Sequence, residues 1–206
     1  MSTKSVKGAA IVTGAAQGIG KAIALRLAKD GYDVALNDVP GKEDSLRTLA
    51  DEIASHGRKS TIIIADVTNE KSVVKMIKET VSELGILRVM VANAGIALTI
   101  GTEFIDTRLE DFEKVLKVNL IGASSINGKR GKHISQYIQN ALFMDSQLRF
   151  VRQATRPRAK LTPCHTAAEM IKHGITVNAY APGYIDTPMG KLSSNHLQPI
   201  TNAPYS

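Results

Sequence analysis

The sequence predicts an α/β protein, a doubly wound parallel sheet with helices on both faces. Three observations carry that expectation. Strand and helix patterns alternate from the amino terminus to Gly95, as βαβ units do. The strand segments are nearly continuous apolar runs, which suits strands covered on both sides. The stretch Ile11 to Gly20, reading IVTGAAQGIG, joins a strand to a helix through a glycine-rich turn, which is a place to hold a phosphate.

Ala9 to Thr13 reads as a buried strand. In the turn that follows, Gly14, Gly18 and Gly20 can adopt backbone angles closed to other residues and let a ligand approach the main chain. Lys21 to Lys29 is an amphipathic helix ended by Gly31; its unpaired N–H groups and dipole favour a pyrophosphate. Asp33 to Asn37 is a second strand, closed by Asp38 eighteen residues after Gly20, where an acid can accept both hydroxyls of an adenosine ribose. Ser45 to Ser55 is a helix stopped near Gly57, and Ser60 to Ala65 is a strand with an apolar centre. Asp66-Val67 ends that strand, Glu70 to Leu84 is a helix stopped at Gly85, and Leu87 to Ala92 is a fourth strand leading into the turn Asn93-Ala94-Gly95. In an open parallel sheet the ligand crevice lies outside the carboxyl ends of the strands. Gly14, Asp38, Asp66 and Asn93 all fall there.

Composition narrows the function classes. A chain of 206 residues, 43% apolar and without Trp, can bury one sizeable core. One domain is expected over residues 1–189, with a polar, disordered tail at 190–206. No leading apolar stretch and no run long enough to cross a bilayer is present, so a cytoplasmic location without membrane contact is expected. Cys164 is the single cysteine and the five histidines lack ligand spacing, so no disulfide and no metal are expected. His56 and His173 suit helix C-termini beside Gly57 and Gly174. The formal charge is +7, but from Ile126 to Lys160 there are eight basic residues and one acid, which leaves 18 of each sign elsewhere. The excess belongs to one stretch without a groove-reading motif, and nucleic acid is not an expected partner.

The spacing Thr13-Gly14-x-x-x-Gly18-x-Gly20 resembles that of the short-chain dehydrogenases/reductases. The resemblance implies a Rossmann-like fold and an oxidoreductase that moves hydride between a nicotinamide cofactor and a small ketone or alcohol. It places Gly14, Gln17, Gly18, Ile19 and Gly20 at the cofactor phosphates, Asp66 and Val67 beside the adenine, and Asn93, Ala94 and Gly95 along the cofactor. Asp38 implies NAD over NADP, because its carboxylate repels a 2′-phosphate, with Lys21 near enough to soften the preference. Pro182, Gly183, Ile185 and Thr187 are similar to the family's Pro-Gly segment, where the Ile185 backbone meets the nicotinamide amide and the Thr187 hydroxyl meets the phosphates.

The catalytic half matches less well. Thr107 to Glu110 has capping-box spacing before an apolar-faced helix. Asn119, near the end of that helix, is similar to the family's water-holding Asn in the proton relay. Ser124-Ser125-Ile126-x-Gly128 resembles the end of the family's fifth strand, yet five residues separate Asn119 from Ser125, where helix, loop and strand would need roughly 20. The sheet is therefore expected to be incomplete, its fifth and last strands missing or replaced, as in an internally deleted and C-terminally truncated family member. The family's proton donor is a tyrosine with a lysine four residues on. No Tyr-x-x-x-Lys exists here; Tyr137 is the nearest candidate, and its partner position holds Ala141. His133 to Gln153 has helical spacing of Ile134, Ile138, Ala141, Leu142, Leu148 and Val151. It lies in an atypical basic segment, 131–166, where Pro157 and Pro163 oppose a continuous helix. Both departures begin at a Gly-Lys pair, Gly131-Lys132 and Gly190-Lys191. Such a pair can be encoded by a common intron start, so translated intron is one reading of both segments. The candidate catalytic set is thus Asn119, Ser125 and Tyr137. The alternative function is a catalytically inactive nucleotide-binding remnant or regulatory partner. Family members commonly pair through the helices altered here, so a homo-oligomer is possible but is not carried over.

Overall fold

The computed structural model describes residues 6–97, 108–122, 138–145, 171, 176–179 and 186–188. The order is β1 (Ala9–Thr13), α1 (Gly18–Lys29), β2 (Asp33–Asp38), α2 (Glu43–Ser55), β3 (Ser60–Ile64), α3 (Glu70–Leu84), β4 (Leu87–Ala92), α4 (Leu109–Leu116), β5 (Ile138–Asp145) and β6 (Thr176–Ala179). The six strands form one sheet in the order β3-β2-β1-β4-β5-β6, and every neighbouring pair is parallel. That is the doubly wound order, whose direction of travel reverses between β1 and β4.

Alternation along each strand divides the core. Ala9 and Ile11 of β1, Ala35 of β2 and Met90 of β4 pack with Val73, Met76 and Ile77 of α3. Ala10 and Val12, Val34 and Leu36, and Val89 and Val91 pack on the other face with Ala24 and Ala28 of α1 and Leu46, Leu49 and Ile53 of α2. Successive strand residues point to opposite faces, so a strand covered on both sides must be apolar throughout. All five residues of β1 are buried. One irregularity shifts the register. Ala9 pairs with Leu87 but Ala10 with Val89, so Arg88 is an extra residue, and Gly8 lies so close that an added Cβ would stand 2.5 Å from the Arg88 Cγ.

Helix ends follow local chemistry. The Asn69 Oδ1 accepts the N–H groups of Lys71 and Ser72 at 3.0 and 3.3 Å, which caps α3, and Gly85 ends it at φ +85°. The expected starts differ in detail. α1 begins at Gly18, inside the glycine turn, and α2 at Glu43. α4 begins at Leu109 with Arg108 in the extended capping position and no side-chain cap bond. The N-cap position expected at Thr107 thus falls on Arg108, and Thr107 lies outside the described residues. Beyond α4 the helix widens into a π turn over Lys117–Gly122.

The largest correction concerns His133 to Gln153. Its helical spacing is overridden from Ile138 to Asp145, which forms β5 between β4 and β6. The seat beside β4 would otherwise expose a row of backbone N–H and C=O groups, so an apolar run of strand length is held there. The expected replacement of the fifth strand therefore takes this form. The strand expected over Ile175 to Ala181 is present as β6, Thr176–Ala179.

Candidate functional site

Two hydrogen-bonded clusters shape the carboxyl edge of the sheet. The first sews β1 to β4. The Thr13 hydroxyl, fully buried, donates to the Val91 carbonyl at 3.2 Å and accepts the N–H groups of Asn93 and Ala94, each at 3.0 Å. The Asn93 amide returns the contact, its Nδ2 donating to the carbonyls of Thr13 and Gly14 at 3.0 and 3.2 Å. The second cluster hangs the glycine turn on β2. The Ala15 N–H donates to the Asn37 carbonyl at 2.9 Å, and the Ala16 N–H to the Asp38 Oδ2 at 3.0 Å. The Asp38 Oδ1 accepts the Val39 N–H at 2.9 Å. Each carboxylate oxygen keeps acceptor capacity for a further donor.

The glycines leave a cradle that no other residue could. Gly14 and Gly18 stand at φ +65° and +56°, and a Cβ on Gly20 would lie 2.1 Å from the Gly14 carbonyl oxygen. α1 therefore presents its amino end directly to the turn, with no side chain between.

These elements enclose a cleft of about 560 Å³, a size suited to a small-molecule site. Of the residues singled out in the sequence, Gly14, Gln17, Gly18, Ile19, Gly20, Asp38, Asp66, Val67, Asn93, Ala94, Gly95 and Thr187 all line it. Thr187 reaches the turn from the far end of the chain: a Cβ on Gly18 would touch its Cγ2 at 3.4 Å. Pro182, Gly183 and Ile185 lie outside the described residues, as do Ser125 and Tyr137.

Asn119 is 7% exposed in the π turn. Its Oδ1 accepts the Ile96 N–H and its Nδ2 donates to the Ile96 carbonyl, both at 2.9 Å. This amide clamps the helix to the irregular segment following the Asn93 turn, beside the cleft. Gly122 completes the fit, since a Cβ there would stand 2.9 Å from the Val67 Cγ2. Lys21, expected to influence the ribose end, is instead paired with Glu52 at 3.2 Å.

Sequence reasoning passed over Asn37, Val39, Lys42, Ile96, Lys114 and Val118, which also line the cleft. Val118 was visible only as part of an apolar helix face. Asn37 offered a fuller signal, a polar residue inside a buried strand. Its Nδ2 donates to the carbonyls of Ile63 and Ala65 at 2.9 and 3.0 Å, while its buried Oδ1 has no partner among the described residues. No cluster of potential metal ligands exists among the described residues, and no described helix is long and apolar enough to cross a membrane.

Known proteins resemble this chain in sequence and fold. The family model described as short chain dehydrogenase matches residues 8–131. A short-chain dehydrogenase/reductase of Armillaria gallica is 40% identical over 95% of this chain and 76% of its own length. The 3-oxoacyl-[acyl-carrier-protein] reductase FabG of Staphylococcus epidermidis is 35% identical over 92% of this chain and 80% of its own. Among solved structures, a short chain dehydrogenase from Burkholderia cenocepacia in complex with NADP superposes with a TM-score of 0.77 at 27% identity, covering 91% of this chain and 78% of that one. A blue fluorescent protein from a metagenomic library, in complex with NADPH, gives 0.75 at 27% identity over 89% and 77%. The match in sequence and the doubly wound sheet agree, and the chain belongs to the short-chain dehydrogenase/reductase family of oxidoreductases.

Proposed function

We propose that this chain binds NAD(H) in the cleft and that its activity, where present, is oxidation or reduction of a small alcohol or ketone. One observation carries the reading: residues at or just past the carboxyl ends of β1, β2, β3 and β4 and in the segment after β6 meet around a glycine-rich turn at the amino end of α1. The turn N–H groups would hold the pyrophosphate, Asp38 would accept the adenosine ribose hydroxyls, and Asp66 and Val67 would border the adenine. The bound nicotinamide would give or take hydride. Thr13 and Asn93 fix the edge against which it lies, and Asn119, through Ile96, fixes the next stretch of the same wall. A cytoplasmic setting belongs to this reading.

NAD is preferred over NADP on charge. The Asp38 carboxylate, held by the Ala16 and Val39 N–H groups, would stand at the ribose. A 2′-phosphate would bring further negative charge to this group. Lys42 and Lys114 are cations lining the cleft, whereas Lys21 is engaged by Glu52. The solved relatives that carry NADP and NADPH make the phosphorylated cofactor the necessary comparison. The FabG relative acts on 3-oxoacyl groups, one form of the ketone class proposed here.

A second reading, nucleotide binding without turnover, is favoured by the absence of any Tyr-x-x-x-Lys in the sequence. An unassisted phenol of pKa about 10 is a poor proton relay at neutral pH. Calorimetric titration of the folded chain with NADH and NADPH tests the cofactor. Saturable binding with NADH the tighter ligand is expected. NADPH binding equally or more tightly would overturn the preference, and absence of binding would overturn the nicotinamide reading. Oxidation of NADH in the presence of small ketones separates the two functions.

A further inference from the structure

The corner of the cleft that follows β3 is held by one side chain. Ala65, Asp66 and Val67 come directly after that strand and all line the cleft. β2 and β3 are parallel, with Asp38 opposite Ile64, and the Ala65 N–H donates to the Asp38 carbonyl at 3.1 Å. The next bond of a parallel ladder would bring the N–H of residue 40 to the Ala65 carbonyl. Residue 40 is a proline and has no N–H. The Asn37 Nδ2 takes that place, donating to the Ala65 carbonyl at 3.0 Å and to the Ile63 carbonyl at 2.9 Å. These two acceptors fix which end of the amide faces β3, since an oxygen there would oppose both. The Asn37 Oδ1 is left buried without a partner among the described residues, which costs stability. The residue is accounted for by what its nitrogen does for β3.

We propose that Asn37 is a positioning residue for the nucleotide base: by holding the Ala65 carbonyl it sets the corner formed by Ala65, Asp66 and Val67, and with it the preference for adenine over other purines. This rests on the cofactor reading above. Asp66 is exposed, and its Oδ1 accepts the Thr68 N–H at 2.8 Å. The carboxylate keeps acceptor capacity for the amino group that adenine carries at C6. Hypoxanthine has an oxo group at that position, an acceptor that gives a carboxylate no hydrogen bond. Val67 is fixed from the helix side, where a Cβ on Gly122 would stand 2.9 Å from its Cγ2. The peptide between Ala65 and Asp66 is oriented by Asn37. Without that donor the Ala65 carbonyl must take one from water in the cleft, and turning it there rotates the peptide that carries Asp66.

Equilibrium binding tests this without turnover. NADH and reduced nicotinamide hypoxanthine dinucleotide, which differ only in the base, are titrated into the full chain and into Asn37→Leu and Asn37→Ala, with circular dichroism to show that each is folded. The unaltered chain is expected to favour NADH by roughly tenfold, as one hydrogen bond to a charged group allows, and both variants to bring the ratio to within about twofold. A variant that is merely less stable loses affinity for both dinucleotides by the same factor and keeps the ratio. An unchanged ratio or loss of both ligands together would therefore overturn the inference, as would equal binding of the two by the unaltered chain. Failure of both variants to fold would also overturn it, making Asn37 structural alone. Failure of the unaltered chain to bind either dinucleotide would instead remove the cofactor reading on which it stands.

Discussion

Thr13 shows how much one side chain can organise. Its hydroxyl makes three hydrogen bonds inside the core, one donated to Val91 and two accepted from Asn93 and Ala94. Thr13→Val preserves the shape but leaves the Ala94 N–H without its acceptor, whereas the Asn93 N–H keeps the Val91 carbonyl at 3.1 Å, and leaving a buried donor unsatisfied costs about 1–3 kcal/mol. A loss of about 1–3 kcal/mol in urea unfolding is expected; a loss below about 0.5 kcal/mol would mean that the Ala94 N–H finds another partner. The residues that surround this bond were readable from the sequence because their chemistry is tied to position: glycine where a side chain cannot fit, an acid at the end of a strand, Asn at a tight turn. Asn37 and Lys42 were not readable, because their place in the cleft depends on where β3 and α2 lie against them, and no local spacing encodes that.

At the scale of elements, β5 is the informative case. The first four strands and the third helix follow from periodicity and glycine stops alone, with Leu87–Ala92 and Glu70–Leu84 as expected. The segment 138–145 misleads because Ile138, Ala141 and Leu142 are spaced as a helix would space them, while its conformation is set by the open hydrogen-bonding edge of β4. Local pattern loses to a non-local demand. As an interior strand, β5 has its backbone bonded on both sides, so its amides should exchange slowly with solvent deuterium. Native-state exchange resolved to 138–145 is expected to show protection approaching that of β4; exchange at the rate of free peptide would remove β5 from the sheet. The π turn after α4 was equally hidden, since the Asn119 clamp on Ile96 joins residues 23 positions apart.

For the molecule as a whole, the cleft joins the ends of four consecutive βα units to the segment after β6, so a ligand there braces elements that otherwise meet only through the sheet. A ligand that binds the folded state alone stabilises it by about 2.7 kcal/mol at a hundred times its dissociation constant. For a chain of this size that corresponds to roughly 5–10 °C in midpoint. Saturating NADH should raise the thermal midpoint by that amount, measured by circular dichroism; an unchanged midpoint under proven binding would show that the unfolding step does not involve the cleft. The sheet also has a second boundary, far from the cleft. β3 is its outermost strand, it carries Ile62, Ile63 and Ile64 in succession, and Ile64 is 37% exposed. An apolar edge with unpaired N–H and C=O groups is a template for another chain. Arg58 is turned inward to Asp33 of β2, so exposed Lys59 before the strand and Asp66 after it place charge at its two ends, as gatekeepers do. Should α2 or α3 loosen, self-association would begin along β3, against the charge of Lys59 and Asp66.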